Sequence, residues 1–237
     1  VKNSACFCSV LLQRALEAYP HSTMSWGLPL ELNIATYNTT VNQIPADLQS
    51  LPYDDSLMIA RFKNFLDTLF ARIPSVKLKM LNIGNESDVF MGTNAVQYQQ
   101  YKTFLDSVRP YAKQKYFALH GEDLSVGTTL TMHGLTGASQ ATLCKQLNSG
   151  LDIIAATYYP LITGFQMDVP KAVHTDFGKL VSQYPDTSKK IPIGRHRSNK
   201  DYSVIGSSAV VHCNPWSVKG KIGFVGSIDD IICGTPC

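Results

Sequence analysis

Asn85 and Glu86 close the run from Val76 to Glu86 and are the residues of this chain best suited to chemistry. The run is apolar enough to predict a buried strand, and the ends of such strands are where β/α enzymes carry their reactive groups. A carboxyl group at that place can give a proton to a leaving oxygen. Glu86 is therefore the candidate catalytic residue, and Asn85 is a candidate hydrogen-bonding partner for a substrate.

Few acids are available to act together with Glu86. The four glutamates are Glu17, Glu31, Glu86 and Glu122, and none follows position 122. This excludes any mechanism that takes a second glutamate from the last third of the chain. Asp88 is a candidate second acid and ligand contact, although side chains so close on one loop seldom flank a substrate from opposite faces.

Three further polar or aromatic residues follow predicted strands. Side chains alternate along a strand, so one of Tyr158 and Tyr159 should point inward and the other toward the helices. His133 follows another strand and should reach the same rim as Glu86. We expect these three residues to contact a substrate, with core packing of the tyrosines and an exposed loop histidine as the alternatives.

The elements that must position these residues alternate between strands and helices, which is typical of repeated βα units around a parallel sheet. The predicted strands are Leu30–Thr36, Leu78–Gly84, Leu124–Thr131, Ile153–Tyr159, Ile191–Gly194 and Lys221–Val225. The predicted helices span about 4–19, 56–72, 94–115, 138–148 and 169–184. In the third of these helices, Pro110 predicts a kink or an early stop. The alternation of predicted strands and helices ends after about residue 195. No linker divides residues 1–237, so we expect one domain.

Composition excludes several classes of function. The formal net charge of +3 is too small for a nucleic-acid-binding surface, and no apolar run approaches the length of about 20 residues that a membrane helix needs. The six cysteines form no CxxC pair, so neither a thioredoxin site nor a common zinc ribbon is indicated. We expect no metal site and no cofactor. The oligomeric state is left open by the sequence.

Two sequons for N-linked glycosylation occur in the chain. Asn38-Thr39-Thr40 is credible on a loop, whereas Asn85-Glu86-Ser87 falls on the proposed site and is not expected to be modified. These signals favour an extracellular or secreted protein.

Three segments together resemble the retaining (β/α)8-barrel glycoside hydrolases of the clan typified by β-1,4-galactanases and their secreted relatives. They are Leu32-Asn33-Ile34 with Ile44-Pro45-Ala46-Asp47-Leu48, then Asn82-Ile83-Gly84-Asn85-Glu86, then Thr157-Tyr158-Tyr159-Pro160-Leu161. The resemblance spans about residues 28–193. It implies a TIM-type (β/α)8 barrel, an oligosaccharide or polysaccharide ligand, and Glu86 as the acid/base at the end of the fourth strand.

The chain departs from the clan in two places. Mapping by order makes Leu30–Thr36 the third strand, so the barrel is expected to be incomplete or rearranged at its N-terminus and C-terminus. The clan's nucleophilic glutamate ends the seventh strand, where this chain has Arg195-His196-Arg197 and its nearest acid is Asp201. We therefore expect a glycoside hydrolase-like protein with weak or absent activity. The alternatives are a non-catalytic carbohydrate-binding protein and a structural or interaction protein.

Overall fold

The computed structural model describes residues 30–74, 76–159, 161–162, 166–167, 169–185, 193–194 and 209–213. Over these residues the protein has a mixed α/β architecture, built around one mainly parallel sheet. The predicted α/β class is therefore confirmed. The predicted helix at 4–19, the predicted strand Lys221–Val225 and the segment 195–201 lie outside the described residues.

In the part of the chain that the structure describes, the sheet contains six parallel strands and one short antiparallel strand. In spatial order the parallel strands are β9 (Ala209–Cys213), β1 (Leu30–Asn38), β3 (Leu78–Asn85), β4 (Ser125–Thr131), β5 (Ala155–Thr157) and β8 (Ile193–Gly194). Strand β2 (Val41–Asn42) folds back antiparallel on the end of β1. Two further short strands, β6 (Leu161–Ile162) and β7 (Gln166–Met167), pair separately from the sheet.

Within the described residues, six α-helices connect or follow these strands. They are α1 (Ser56–Arg72), α2 (Ser87–Met91), α3 (Ala95–His120), α4 (Met132–Thr136), α5 (Ala141–Asn148) and α6 (Pro170–Gln183), and a 3-10 turn spans Ala46–Leu48. Helix α1 begins where the Asp55 side chain accepts a hydrogen bond from the backbone N–H of Leu57, which satisfies one of the unpaired donors of the first turn. Its buried residues recur at three- and four-residue spacing and belong to the same core cluster as the apolar residues of the sheet.

Helix α3 runs through Pro110 to His120, so the predicted early stop is wrong. A proline inside a helix removes one backbone hydrogen bond and costs about 3 kcal/mol. Val108 and Ala112 on either side of it are fully buried, and the Tyr116 hydroxyl accepts a hydrogen bond from the backbone N–H of Leu78 at 2.6 Å. Burial of large side chains is worth about 1.5–3 kcal/mol each, so tertiary packing offsets the cost of the proline.

The sheet has an apolar face toward the helices and a polar second face. Successive side chains alternate between the faces, and the helices pack on the apolar positions Leu32, Ile34, Leu81, Ile83, Val126, Leu130, Ile154 and Ala156. On the other face Asn82 donates a hydrogen bond to Glu31, and Asn33 Nδ2 donates to Thr129 Oγ1 at 3.2 Å. Strand β3 lies between β1 and β4, so this second bond spans two strand spacings, or about 9.6 Å between backbones. A hydrogen bond between side chains on strands so far apart favours a sheet that curls toward its polar face.

The closed barrel is not observed. Among the strands that the structure describes, β9 and β8 are the two edges, and they do not pair with each other. The neighbour of β1 on its free side is β9, in parallel register from Leu30 opposite Ala209 to Ile34 opposite Cys213. A segment from late in the chain therefore lies beside β1, and its sequence pattern did not predict a strand.

Candidate functional site

The carboxyl end of β3 carries the predicted site, and Gly84 explains its local shape. Gly84 has φ +96°, a conformation that side-chain-bearing residues rarely adopt, and a Cβ there would overlap Ser87 Oγ and the Tyr101 hydroxyl. The Tyr101 hydroxyl instead donates to the carbonyl of Ile83 at 2.8 Å and bonds Thr36 Oγ1 at 2.7 Å. The absence of a side chain at Gly84 therefore leaves room for the buried Tyr101 hydroxyl to bond the backbone of β3 next to the site.

Glu86 lies immediately after β3 with its backbone in the left-handed region, at φ 53°. This is uncommon for a residue other than glycine and costs of order 1 kcal/mol or more. Its side chain is 8% exposed, and Oε2 accepts a hydrogen bond from Thr39 Oγ1 at 2.7 Å. The candidate acid is thus held at the strand end in a single orientation and is largely shielded from water.

The turn between β1 and β2 supplies the residues that hold this strand end. Thr39 also has a left-handed backbone, at φ 56°, and its N–H donates to the carbonyl of Asn85 at 2.9 Å. Asn85 Nδ2 in turn donates to Asn38 Oδ1 at 3.0 Å. Three hydrogen bonds therefore join residues 38–39 to residues 85–86, and they fix the position of both Asn85 and Glu86.

Asp88 lies in α2 and is 1% exposed. Its carboxylate accepts from the backbone N–H of Thr131 at 2.8 Å and also from the Thr131 hydroxyl. Burial raises the pKa of the Asp88 carboxyl, the Thr131 bonds oppose that change in part, and the nearby charge of Glu86 raises the pKa further. Both carboxylate oxygens of Asp88 thus accept hydrogen bonds from Thr131, and Asp88 thereby ties α2 to β4 inside the protein.

The two tyrosines differ in burial. Tyr158 is buried on the helix side, where its hydroxyl bonds Asp176 of α6 at 3.1 Å and its ring packs against Phe177. Tyr159 is 37% exposed. Of this pair, Tyr159 is therefore the one with a ring surface that a ligand can reach.

His133 is exposed on the short helix α4, which follows β4. The helix begins at Thr131, whose hydroxyl accepts from the N–H of Gly134 at 2.9 Å while bonding Asp88. His133 thus lies beyond the carboxyl end of β4, on the same end of the sheet as Glu86. The hydrogen bonds that hold Glu86 and Asn85 come from the β1–β2 turn and not from this helix.

Sequence reasoning missed two residues of this site, Thr39 and Thr131. Thr39 lies 47 residues from its partner Glu86, and Thr131 lies 43 residues from Asp88. Their places in the sequence could have identified them, because each threonine follows or ends a predicted strand next to β3. The carboxyl ends of neighbouring parallel strands meet at one edge of the sheet, so polar residues at these places are candidates for contact.

The described residues show neither a metal-binding cluster nor a membrane-spanning helix. Within the described ranges, no group of three or more His, Cys, Asp or Glu side chains is arranged to hold a metal ion. None of the helices in that part of the chain combines the length and the apolar character needed to cross a bilayer.

Comparisons with known proteins return weak structural similarities. No family model matches the sequence, and no curated protein is significantly similar to it. The catalytic domain of Cellulomonas fimi Cel6B is similar with a TM-score of 0.45 and 16% identity, over 76% of this chain and 51% of that chain. The agarase AgWH50C has a TM-score of 0.36 and 12% identity, over 84% of this chain and 43% of that chain. This chain spans about half the length of these solved structures.

Proposed function

We propose that this protein is a carbohydrate-active, glycoside hydrolase-like protein that binds an oligosaccharide or polysaccharide around Glu86, with weak or absent hydrolysis. The observation that carries the proposal is the position of Glu86, a carboxyl group at the carboxyl end of a parallel strand, held there by Thr39 at 2.7 Å. The sequence resemblance to retaining barrel glycosidases supports the same interpretation. The curled sheet is, on this proposal, part of a β/α barrel.

Glu86 is suited to recognise a sugar hydroxyl or to protonate a glycosidic oxygen. A retaining glycosidase needs a second carboxyl group about 5–5.5 Å from the first, and an inverting one needs it about 6.5–9.5 Å away. Asp88 interacts electrostatically with Glu86, but Thr131 occupies its carboxylate. It is therefore poorly placed to attack an anomeric carbon.

A protein with a proton donor and no nucleophile should catalyse poorly. General acid catalysis alone contributes about 10²–10⁴-fold, whereas enzymes typically accelerate reactions by about 10⁶-fold or more. Ligand binding does not need the second carboxyl group and should survive its loss. The proposed role is therefore carbohydrate binding first, with Glu86, Asn85, Tyr159 and His133 as the contacts.

Calorimetry against a panel of β-galactan and β-glucan oligosaccharides tests this proposal. We expect binding heat with at least one of them, and a loss of affinity of about tenfold or more in Glu86→Gln, since a charged hydrogen bond is worth about 1.5–3 kcal/mol. The amide oxygen of the substituted side chain can still accept the hydrogen bond from Thr39, so this variant should fold normally. Reducing-end assays on the same panel should show little turnover.

A structural or interaction role is the second candidate, and the 8% exposure of Glu86 favours it. In that role the carboxylate only ties the β1–β2 turn to the end of β3. A folded protein that gives no heat with any oligosaccharide would support this candidate and contradict carbohydrate binding. Robust hydrolysis that disappears in Glu86→Gln would instead contradict the proposed lack of turnover. Extracellular localisation is also part of the proposal.

A further inference from the structure

The turn that holds Glu86 also contains the sequon Asn38-Thr39-Thr40, and we propose that Asn38 is a site of N-linked glycosylation. The inference concerns a covalent modification of this turn and does not depend on what Glu86 does. Asn38 ends β1, and the turn beyond it leads into β2. Turns of this kind are surface features that can carry a bulky polar group without loss of packing.

Accessibility distinguishes the two sequons of the chain. Asn38 and Thr40 are both exposed. In the second sequon Asn85 is 9% exposed and Ser87 is 0% exposed. A glycan is transferred to the growing chain before it folds. A modified chain can then reach the native state only if the folded structure has room for the glycan. A glycan on Asn38 fits the native structure, whereas one on Asn85 would have to occupy the packed strand end.

The hydrogen bonding of Asn38 is compatible with the modification. Its amide oxygen Oδ1 accepts from Asn85 Nδ2 at 3.0 Å, and that oxygen is retained after glycosylation. The glycan attaches to Nδ2, on the opposite side of the amide group. The contact that orders Asn85 can therefore persist in the modified protein.

The chemistry requires a lipid-linked diphosphate oligosaccharide and the transferase that uses it. Nδ2 of Asn38 attacks C1 of the first sugar, so the N–C1 bond forms and the bond from C1 to the phosphate oxygen breaks. The lipid diphosphate leaves, and the amide nitrogen gives up one proton. No redox change occurs, and Asn38 keeps one N–H.

Expression of the 237-residue chain behind a cleavable secretory leader in a eukaryotic host tests the proposal. Intact mass and glycopeptide mapping should show one N-glycan, on Asn38. Thr40→Ala should abolish it while leaving the Asn38 side chain in place, and Thr40→Ser should restore it. Ser87→Ala, which destroys the second sequon, should leave the glycan unchanged.

The mapping also provides the result that would overturn the proposal. A secreted, folded wild-type chain without any glycan on Asn38 would contradict it, as would a glycan found on Asn85 that persists in Thr40→Ala. Glycopeptide mapping of the wild type assigns the modified residue directly, so the conclusion stands even if a variant fails to fold.

Discussion

Thr39 and Glu86 have left-handed backbones, and a hydrogen bond of 2.7 Å joins their side chains. They are the two non-glycine residues with positive φ in the part of the chain that the structure describes. Each conformation is costly on its own and persists because the surrounding structure fixes it. Strained backbone conformations cluster at functional sites, so these two residues agree with the ligand site proposed at the end of β3.

Removal of the Thr39 hydroxyl should destabilise the protein. Thr39→Val keeps the shape and the β-branching but leaves the Glu86 oxygen without its donor, which costs about 1–3 kcal/mol for a buried acceptor. Thr39→Ser keeps the donor and should cost less. Urea unfolding of the two variants measures the difference, and equal stability of the valine and serine variants would show that the hydrogen bond contributes nothing.

Gly134→Ala should destabilise the tie between α2 and β4. A Cβ at Gly134 would overlap the carboxylate of Asp88, which Thr131 holds in place. We expect a loss of about 1–3 kcal/mol, in the range for overpacking.

Gly178→Ala is the matched control for that change. Gly178 lies inside α6 with open space around it, so alanine there should stabilise the protein by about 0.5–1 kcal/mol. Thermal unfolding of both variants gives the comparison. A neutral Gly134→Ala would mean that Asp88 can move, and the description of Asp88 as a fixed tie would then be wrong.

Glu31 should make stability depend on pH. Burial raises the pKa of the Glu31 carboxyl, and the hydrogen bond from Asn82 opposes this in part. The folded state then binds the proton more tightly than the unfolded state, in which a glutamate has a pKa of about 4.3. The contribution of this proton to stability is complete below that pH and is lost as the pH rises through the folded-state pKa.

Glu31→Gln removes this titration and keeps an oxygen that accepts from Asn82. We expect the variant to match the wild type near pH 4 and to be more stable than the wild type near pH 7. Urea unfolding at the two pH values measures the difference. A stability difference that is the same at both pH values would contradict the assigned burial effect.

Tyr159 should contribute to ligand affinity through its ring. Its exposed aromatic face offers apolar area to a sugar, and aromatic contacts are worth about 0.5–1.5 kcal/mol. Tyr159→Ala should therefore weaken oligosaccharide binding about two- to tenfold. Tyr159→Phe keeps the ring and should bind like the wild type. Loss of affinity in both variants would assign the role to the hydroxyl instead.

The sequence by itself determined the local elements and the position of the candidate acid. Periodicity predicted α1 with its observed bounds, and it predicted β1 and β3 with the same first residues that the structure has. Such patterns are local, because alternation and three- to four-residue spacing express which face of an element is buried. For the same reason, Asn85 and Glu86 could be placed at the end of a strand without knowledge of its neighbours.

Tertiary structure alone decided which distant residues meet. The pairing of β9 with β1, the passage of α3 through Pro110 and the bond from Thr39 to Glu86 all depend on contacts between segments far apart in the chain. No local pattern specifies such a partner, because the free energy that selects it comes from burial and hydrogen bonding summed over the assembled sheet. The sequence was therefore sufficient to select Glu86 as the candidate acid, whereas only the fold identified Thr39 as its hydrogen-bond partner.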